Sequence, residues 1–434
     1  MRFKNILVLL VCCLLMASLM TGCNWFKSDS GGGSAKANPD LLLGWADVAG
    51  DNGQIGEMVQ TTTGGEGGQI KEVTTVTELK SLLAELQTNP VPTIIRIKGT
   101  LMDQNSSTGL IKLNNLKNIT IEGIGNTTMT CYDAINLSNS YNIIIRNIFF
   151  INNTRDAINL SGRSTHHVWI DRCSFSDVAW GSGPIREAAT SDNSAAYGKH
   201  DGLIDIGNGS GYVTISYCHF ENHKKAMLFG SGSGDAANDV GHLKVTLHHN
   251  WIGYVAERST RNRFGQIHLF NNYYDNTGTM LEMTPKNPSD GIYQHGYGIL
   301  SALGAQVVVE NNYFKNVLWP TLVVRKSVDP VWAQTYGYIT SPVTGQPVLH
   351  FSPNFEEDPG YITYRGTNIQ DPVPGTEVNL GEATYKILPF DTTSPDPTNW
   401  NPWDSYGYDQ KKINGVLHNA KSVPSVIKAY AGAK

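Results

Sequence analysis

Three arginines stand within six positions, at Arg258, Arg261 and Arg263, in a chain of 434 residues with a formal net charge of -5. Fixed positive charge gathered at one place in a mildly acidic protein points to a site for a particular anionic ligand. A guanidinium offers paired N–H donors that match a carboxylate. The same balance argues against general nucleic-acid binding, where a basic surplus is expected. His200, His223, His248, His249 and His268 raise the question of zinc. Their spacing gives no recognised tetrahedral set, and structural hydrogen bonding is the expectation.

The elements that must position these residues repeat. The chain is 40% hydrophobic and 16% charged, which describes a globular protein with a sizeable core. One pattern recurs as "NITIEGIG", "NIIIRNIFF", "HVWIDRCSF", "YVTISYCHF", "KVTLHHNWI", "QIHLFNNYY" and "QVVVENNYF". Its fourth residues are Ile121, Ile145, Ile170, Ile215, Leu247, Leu269 and Val309, at spacings of 24, 25, 45, 32, 22 and 40. The shortest spacing is about one turn of a parallel β-helix, and longer ones hold inserted loops. Two residues earlier stand Ile119, Ile143, Val168, Val213, Val245, Ile267 and Val307, which alternation turns to the same inner face. Five residues later come Phe150, Phe175, Phe220, Ile252, Tyr274 and Phe314, an apolar stack. Three residues later, Asn250, Asn272 and Asn312 are placed to form a ladder whose amides satisfy buried backbone groups. Cys173 and Cys218 share that column and are expected to be free buried thiols. "VTELKSLLAELQ" carries Val76, Leu79, Leu82, Leu83 and Leu86 at helical spacing and suits an N-terminal capping helix. The repeat is lost from about Pro320, where long flanking loops are expected; "VPSVIKAYAGAK" reads as a short helix or strand.

"TTGGEGG", "VWIDRCSFSD", "HDGLIDI", "VTISYCHFENHKKAMLFG", "VTLHHNWI", "ERSTRNRFGQIHLFNNYY" and "VENNYF" occur in this order. Together they resemble the pectate lyase family, polysaccharide lyase family 1, over roughly residues 44–317. The resemblance implies an all-β, right-handed parallel β-helix and a polygalacturonate chain lying along one sheet. It implies calcium, held by Asp201 and Asp205 of "HDGLIDI" and by Asp156 of "RDAINL". Calcium takes several oxygen ligands, and an incomplete protein set leaves positions for substrate carboxylates. On a straight strand residues four apart lie about 13 Å from one another, so Asp201 and Asp205 share an ion only if the chain bends, with Gly202 as the corner. Arg258 holds the place of the family's proton-abstracting arginine. Arginine is effectively always protonated, so charge stabilisation is the alternative role. Lys225 and Arg263 match substrate-contacting residues, and Arg261 belongs to the same cluster. Three positions depart from the family's pattern: Thr260 for proline, Arg172 for histidine and Ala302 for arginine.

The first residues read as an export signal. Arg2 and Lys4 precede an apolar run to Met20, and "LMTGC" resembles a lipobox ending in Cys23. Residues 1–22 are thus expected to be a lipoprotein signal, 23–40 a flexible linker and 41–434 the β-helix domain. An ordinary secretory signal is the alternative. The expected protein is exported, at the cell surface or periplasm or secreted, a monomer that meets membrane only through its anchor. The expected reaction is β-elimination on de-esterified pectin. The rivals are a non-catalytic binder of acidic polysaccharide and a polygalacturonase-type hydrolase. The hydrolase needs an acid and a carboxylate-activated water, and no such set stands out beyond the aspartates given to calcium.

Overall fold

A computed structural model describes residues 37–180, 200–277, 297–317, 319–323, 339–340, 347–348, 360–371, 377–380, 408 and 410–434. These lie in one compact unit, Lys36–Lys434. Cys23, the signal and most of the linker lie outside the described residues.

Apart from two short antiparallel pairings, at Ile339–Thr340 with Pro347–Val348 and at Ile369–Asp371 with Val378–Asn379, the described strands are parallel and stack coil upon coil as a right-handed β-helix. The aligned aliphatics are register partners in sequence: Ile121 with Ile145, then Ile170, Ile215, Leu247, Leu269 and Val309. All are buried. Call these strands the first sheet; the strands bearing Phe150, Phe175, Phe220, Ile252, Tyr274 and Phe314 form the second. Its rings stack at 5.0 Å for Phe150–Phe175, 4.7 Å for Phe175–Phe220 and 4.5 Å for Tyr274–Phe314. Each buried phenylalanine contributes about 1.5–3 kcal/mol by leaving water.

Between the two sheets the chain turns through a left-handed residue in every coil. Asn147, Arg172, Tyr217, His249, Asn271 and Asn311 have φ of 56°, 49°, 48°, 56°, 51° and 49°. The asparagine ladder follows directly. Asn272 Oδ1 accepts from Asn250 N at 3.1 Å and from Asn250 Nδ2 at 3.0 Å. Asn312 Oδ1 accepts from the same two atoms of Asn272, at 2.8 and 3.1 Å. Each amide also donates inward, as Asn272 Nδ2 does to Leu247 O at 3.1 Å. Cys173, Cys218 and Cys131 are free and buried, and Cys218 Sγ accepts from Cys173 N at 3.4 Å.

The repeat extends beyond Pro320, contrary to the sequence expectation. Tyr361–Arg365 pairs with Gln306–Glu310, and Ile369–Asp371 with Tyr313–Lys315. Asn368 continues the ladder, accepting from Asn312 N at 2.9 Å. One extra residue in this turn hides the coil. Gly366 at φ 56° absorbs it, where a Cβ would sit 2.0 Å from Asn311 Oδ1.

Helix Val76–Thr88 forms as expected, with Thr75 Oγ1 accepting from Glu78 N and all five apolar residues joined to the core. Helix Val423–Tyr430 packs Val423 and Ile427 against Tyr273, Tyr313 and Ile369 of the outer surface.

The third sheet carries the chemistry-bearing residues. Its eight parallel strands run in order from Leu110–Asn114 through Asp133–Ser138, Ile158–Ser161, Ile204–Gly207, Met227–Phe229, Thr260–Arg263 and Tyr297–Ala302 to Trp319–Val323.

Candidate active site

Strand Ile204–Gly207 buries Ile204 and Ile206, so alternation turns Asp205 outward. Register puts Asn136, Asn159, Asp205, Leu228 and Arg261 in one column across five coils. Asp205 and Arg261 are two coils apart, about 10 Å. The column passes from amides through a carboxylate to a guanidinium.

Asp156, Asp201, Lys225 and Arg258 gather beside it, where the chain turns from the second sheet to the third. Adjacent coils are tied there by Leu203 N donating to Ala226 O at 2.9 Å and Met227 N to Arg258 O at 2.7 Å. Lys225 pairs in register with Glu257, the residue before Arg258. Arg258 has φ 56°, as corner residues do throughout the fold. Its guanidinium Nε is buried with no hydrogen-bond partner among the described residues.

Gly202 sets the acidic side. Its φ lies outside the left-handed region, and it precedes the strand that starts at Ile204; its missing side chain is what brings the carboxylates together. A Cβ would lie 2.8 Å from Asp205 Oδ1 and 2.9 Å from Asp156 Oδ1. The two oxygens are therefore within about 6 Å of each other, around a space a cation with oxygen bonds of about 2.4 Å suits. Asp156 is buried, its Oδ1 accepting from Gly202 N at 3.1 Å and Oδ2 from Asn159 Nδ2 at 3.2 Å. Burial, then the charges of Asp201 and Asp133, push its carboxyl up to about 6. Burial and Asp156 push Asp205 well above the carboxylate range, while Arg258 and Arg263 pull it down. Asp201 is exposed. These hard oxygens under mutual repulsion fit a divalent cation. Among the described residues no group of three or more His, Cys, Asp or Glu is placed to hold a metal ion by itself, so Asp156, Asp201 and Asp205 would need further ligands.

The basic side is arranged differently from a free fork of charges. Arg263 Nη1 donates to Gly230 O at 2.9 Å and Ser231 O at 3.1 Å, which fixes its guanidinium by backbone carbonyls. Arg261 is buried on the outward column.

With this geometry, the pectate lyase family model matches residues 15–347. The chain belongs to the pectate lyase family. It is a polysaccharide lyase. Pectate lyase E of Dickeya chrysanthemi is 29% identical over 307 residues, covering 65% of this chain and 69% of that protein. A pectate lyase of Bacillus subtilis (strain 168) is 31% identical over 301 residues, covering 52% of this chain and 69% of that one. A pectate lyase of Bacillus sp. N165, solved in complex with trigalacturonate, shares the fold with a TM-score of 0.59 at 24% identity, covering 91% of this chain and 99% of that one.

The structure also places the departures from the pectate lyase pattern. Arg172 lies in the turn between the first and second sheets, with Asp171 Oδ2 and Asp40 Oδ1 each 2.7 Å away. Thr260 faces inward, fully buried, its hydroxyl accepting from Asn262 Nδ2 at 3.2 Å. It shapes the segment between the arginines rather than touching a ligand. Ala302 pairs with Arg263 one coil on.

Sequence reasoning missed Asp177. It lies buried between two histidines, with His200 Nδ1 3.0 Å from Oδ1 and His223 Nε2 3.3 Å from Oδ2. His223 Nδ1 accepts from Lys225 N at 2.9 Å, so its proton sits on Nε2, facing Asp177. Burial lowers His223 below its ordinary value against the pull of Asp177. The His200–Asp177 and Lys225–His223 hydrogen bonds, with Asp177 and His223 3.3 Å apart between them, brace the backbone at Lys225 and beside Asp201. The other histidines serve the scaffold: His249 Nε2 meets His418 Nδ1 at 3.0 Å, and His268 Nε2 meets Glu310 Oε2 at 3.1 Å.

Proposed function

We propose that this pectate lyase cleaves de-esterified pectin, polygalacturonate, by calcium-dependent β-elimination to unsaturated oligogalacturonides. The observation that carries the proposal is the meeting of carboxylates and guanidinium groups at one corner, with Gly202 leaving a space between Asp156 Oδ1 and Asp205 Oδ1, and with Asp205 pushed up by burial and by Asp156 and pulled down by Arg258 and Arg263. Asp156, Asp201 and Asp205 would hold the calcium. Bound there, calcium supplies a positive charge that stabilises the enolate-like charge developing on the uronate carboxylate.

The chain's own residues do the rest. The proton to be removed is at C5, α to the carboxylate, and the C4–O bond then breaks. Arg258, whose buried Nε has no hydrogen-bond partner among the described residues, is the residue proposed to face C5, as base or as stabiliser of the developing charge. Lys225, Arg261 and Arg263 orient neighbouring carboxylates, and the carbonyls of Gly230 and Ser231 hold Arg263 ready. We further propose export with lipidation at Cys23; loss of lipid labelling in Cys23→Ser, and its persistence, are the two outcomes that decide this.

The test of the reaction is the product formed from polygalacturonate with calcium and with chelator. Ultraviolet-absorbing unsaturated ends, formed only with calcium, are expected. New reducing ends without that absorbance would mean hydrolysis, and undiminished product in chelator would remove the metal from the reaction.

A further inference from the structure

His166 and His167 open the first-sheet strand His166–Asp171. Their rings meet at Nδ1, 2.7 Å apart, and His167 Nε2 lies 2.8 Å from Val48 O. A carbonyl only accepts, so His167 Nε2 donates there. Burial lowers both imidazoles, His166 to about 3 and His167 to about 4, and both are neutral near pH 7. A neutral imidazole carries a single N–H. His167 Nδ1 therefore accepts from His166 Nδ1, which leaves a lone pair on His166 Nε2.

That lone pair faces a second acceptor. Glu57 Oε2 is 3.4 Å from His166 Nε2, and both atoms are buried with no hydrogen-bond partner among the described residues. Two buried acceptors face to face are costly unless positive charge lies between them. A bridging proton would draw them to about 2.7–3.2 Å. Two zinc bonds of about 2.1 Å at a tetrahedral angle span about 3.4 Å. The surroundings also suit a metal. The second ring nitrogen of His166 is engaged in a chain that ends on a backbone carbonyl, which fixes the tautomer. The Tyr141 ring stacks on His166 at 5.1 Å with 3° between the planes. The Glu57 side chain is 28% exposed, so water can reach the ion. Lys117 and Asp51, of opposite sign, are the other charges that act on Glu57.

We propose that Glu57 Oε2 and His166 Nε2 bind a divalent transition metal ion of the zinc class, with water completing its coordination. An imidazole beside a carboxylate suits zinc, whereas calcium takes oxygen ligands. The site stands apart from the substrate corner: His166 follows the third-sheet strand Ile158–Ser161, where the chain turns from the third sheet to the first. The ion would be structural. It would fasten the segment that precedes the first strand, Gln69–Val73, onto the β-helix. Gly50 and Val59 already bridge to close that segment into a loop, and Asn52 Nδ2 donates to Arg163 O at 2.9 Å and Gly209 O at 2.8 Å.

Equilibrium dialysis of the full chain against zinc, in saturating calcium, counts the ion. Wild type should bind one zinc more than Glu57→Gln or His166→Gln, and zinc should raise the melting temperature of wild type alone. Equal zinc in all three chains overturns the site and leaves a proton as the occupant. Zinc retained by His166→Gln overturns the nitrogen ligand. Should His166→Gln not fold, the loss of zinc in Glu57→Gln, or its retention, decides. The amide introduced by Glu57→Gln can donate to His166 Nε2. Without zinc that variant should therefore melt no lower than wild type, and a lower melting temperature would contradict the facing lone pairs.

Discussion

The corner between the first and second sheets and the corner between the second and third are turned by the same device, a residue in the left-handed region: Asn271 at φ 51° in one and Arg258 at φ 56° in the other. In the first, Asn250, Asn272, Asn312 and Asn368 answer one another's amides down the stack. In the second, Arg258 Nε and Asp133 Oδ1 are buried without hydrogen-bond partners among the described residues, and burial together with neighbouring carboxylates raises the pKa of Asp156. A polar group buried without a partner costs about 1–3 kcal/mol. The ladder asparagines avoid that cost among themselves. On the proposed function, the second corner carries it until a ligand arrives. Stability and activity should therefore separate between corners that share one backbone plan.

The largest separation is expected at Arg258. Arg258→Ala should lower turnover of polygalacturonate by about a thousandfold or more. Its melting temperature should stay within about 3 °C of wild type. Retained turnover would place the proton-abstracting or charge-stabilising group elsewhere. The mirror experiment is Asn272→Ala, which strips Asn250 of its acceptor and leaves buried amide groups unanswered. A loss of about 3 kcal/mol in denaturant unfolding is expected, with the kcat of the folded fraction unchanged. A loss under about 1 kcal/mol would mean the ladder relaxes around the gap.

A third prediction uses pH. The Asp156 carboxyl is raised to about 6 in the fold, above its ordinary 3.8. The folded chain thus holds that proton more tightly than the unfolded chain. Its contribution is fully present below the ordinary value and is lost as pH rises through the folded value. In chelator, Asp156→Asn should therefore melt higher than wild type at pH values above about 6 and equally below about 4. Calcium should reverse the order at high pH, and an Asp156→Asn advantage that ignores pH would contradict the assignment. Buried His166 and His248, both lowered by burial to about 3, carry the opposite sign: their support for the fold is lost as pH falls. The smallest effect is expected at Lys225, where Lys225→Ala should raise KM about tenfold with kcat little changed.

The first corner was far more legible in the sequence than the second. Inward aliphatics and asparagines recur at fixed offsets because each coil must present them to the next, and seven aligned residues proved to be direct register partners. The coil at Tyr361–Arg365 escaped because Gly366 and Thr367 move Asn368 one position later. The third sheet is built of short strands behind insertions of unequal length, so its column from Asn136 to Arg261 has no constant period. Its site residues came from resemblance rather than from spacing. Gly202 was legible only as a corner; the space it leaves between Asp156 and Asp205 needed the structure. Asp177 gave no signal because its two histidines lie 23 and 46 positions away.

The most direct test of a corner completed by its ligand is calcium affinity, measured by isothermal titration with and without trigalacturonate on the Arg258→Ala chain. If uronate oxygens complete the coordination of a cation on Asp156, Asp201 and Asp205, calcium binds at least about tenfold more tightly when trigalacturonate is present, and trigalacturonate gains equally from calcium. Equal calcium affinity in both conditions would contradict the shared site.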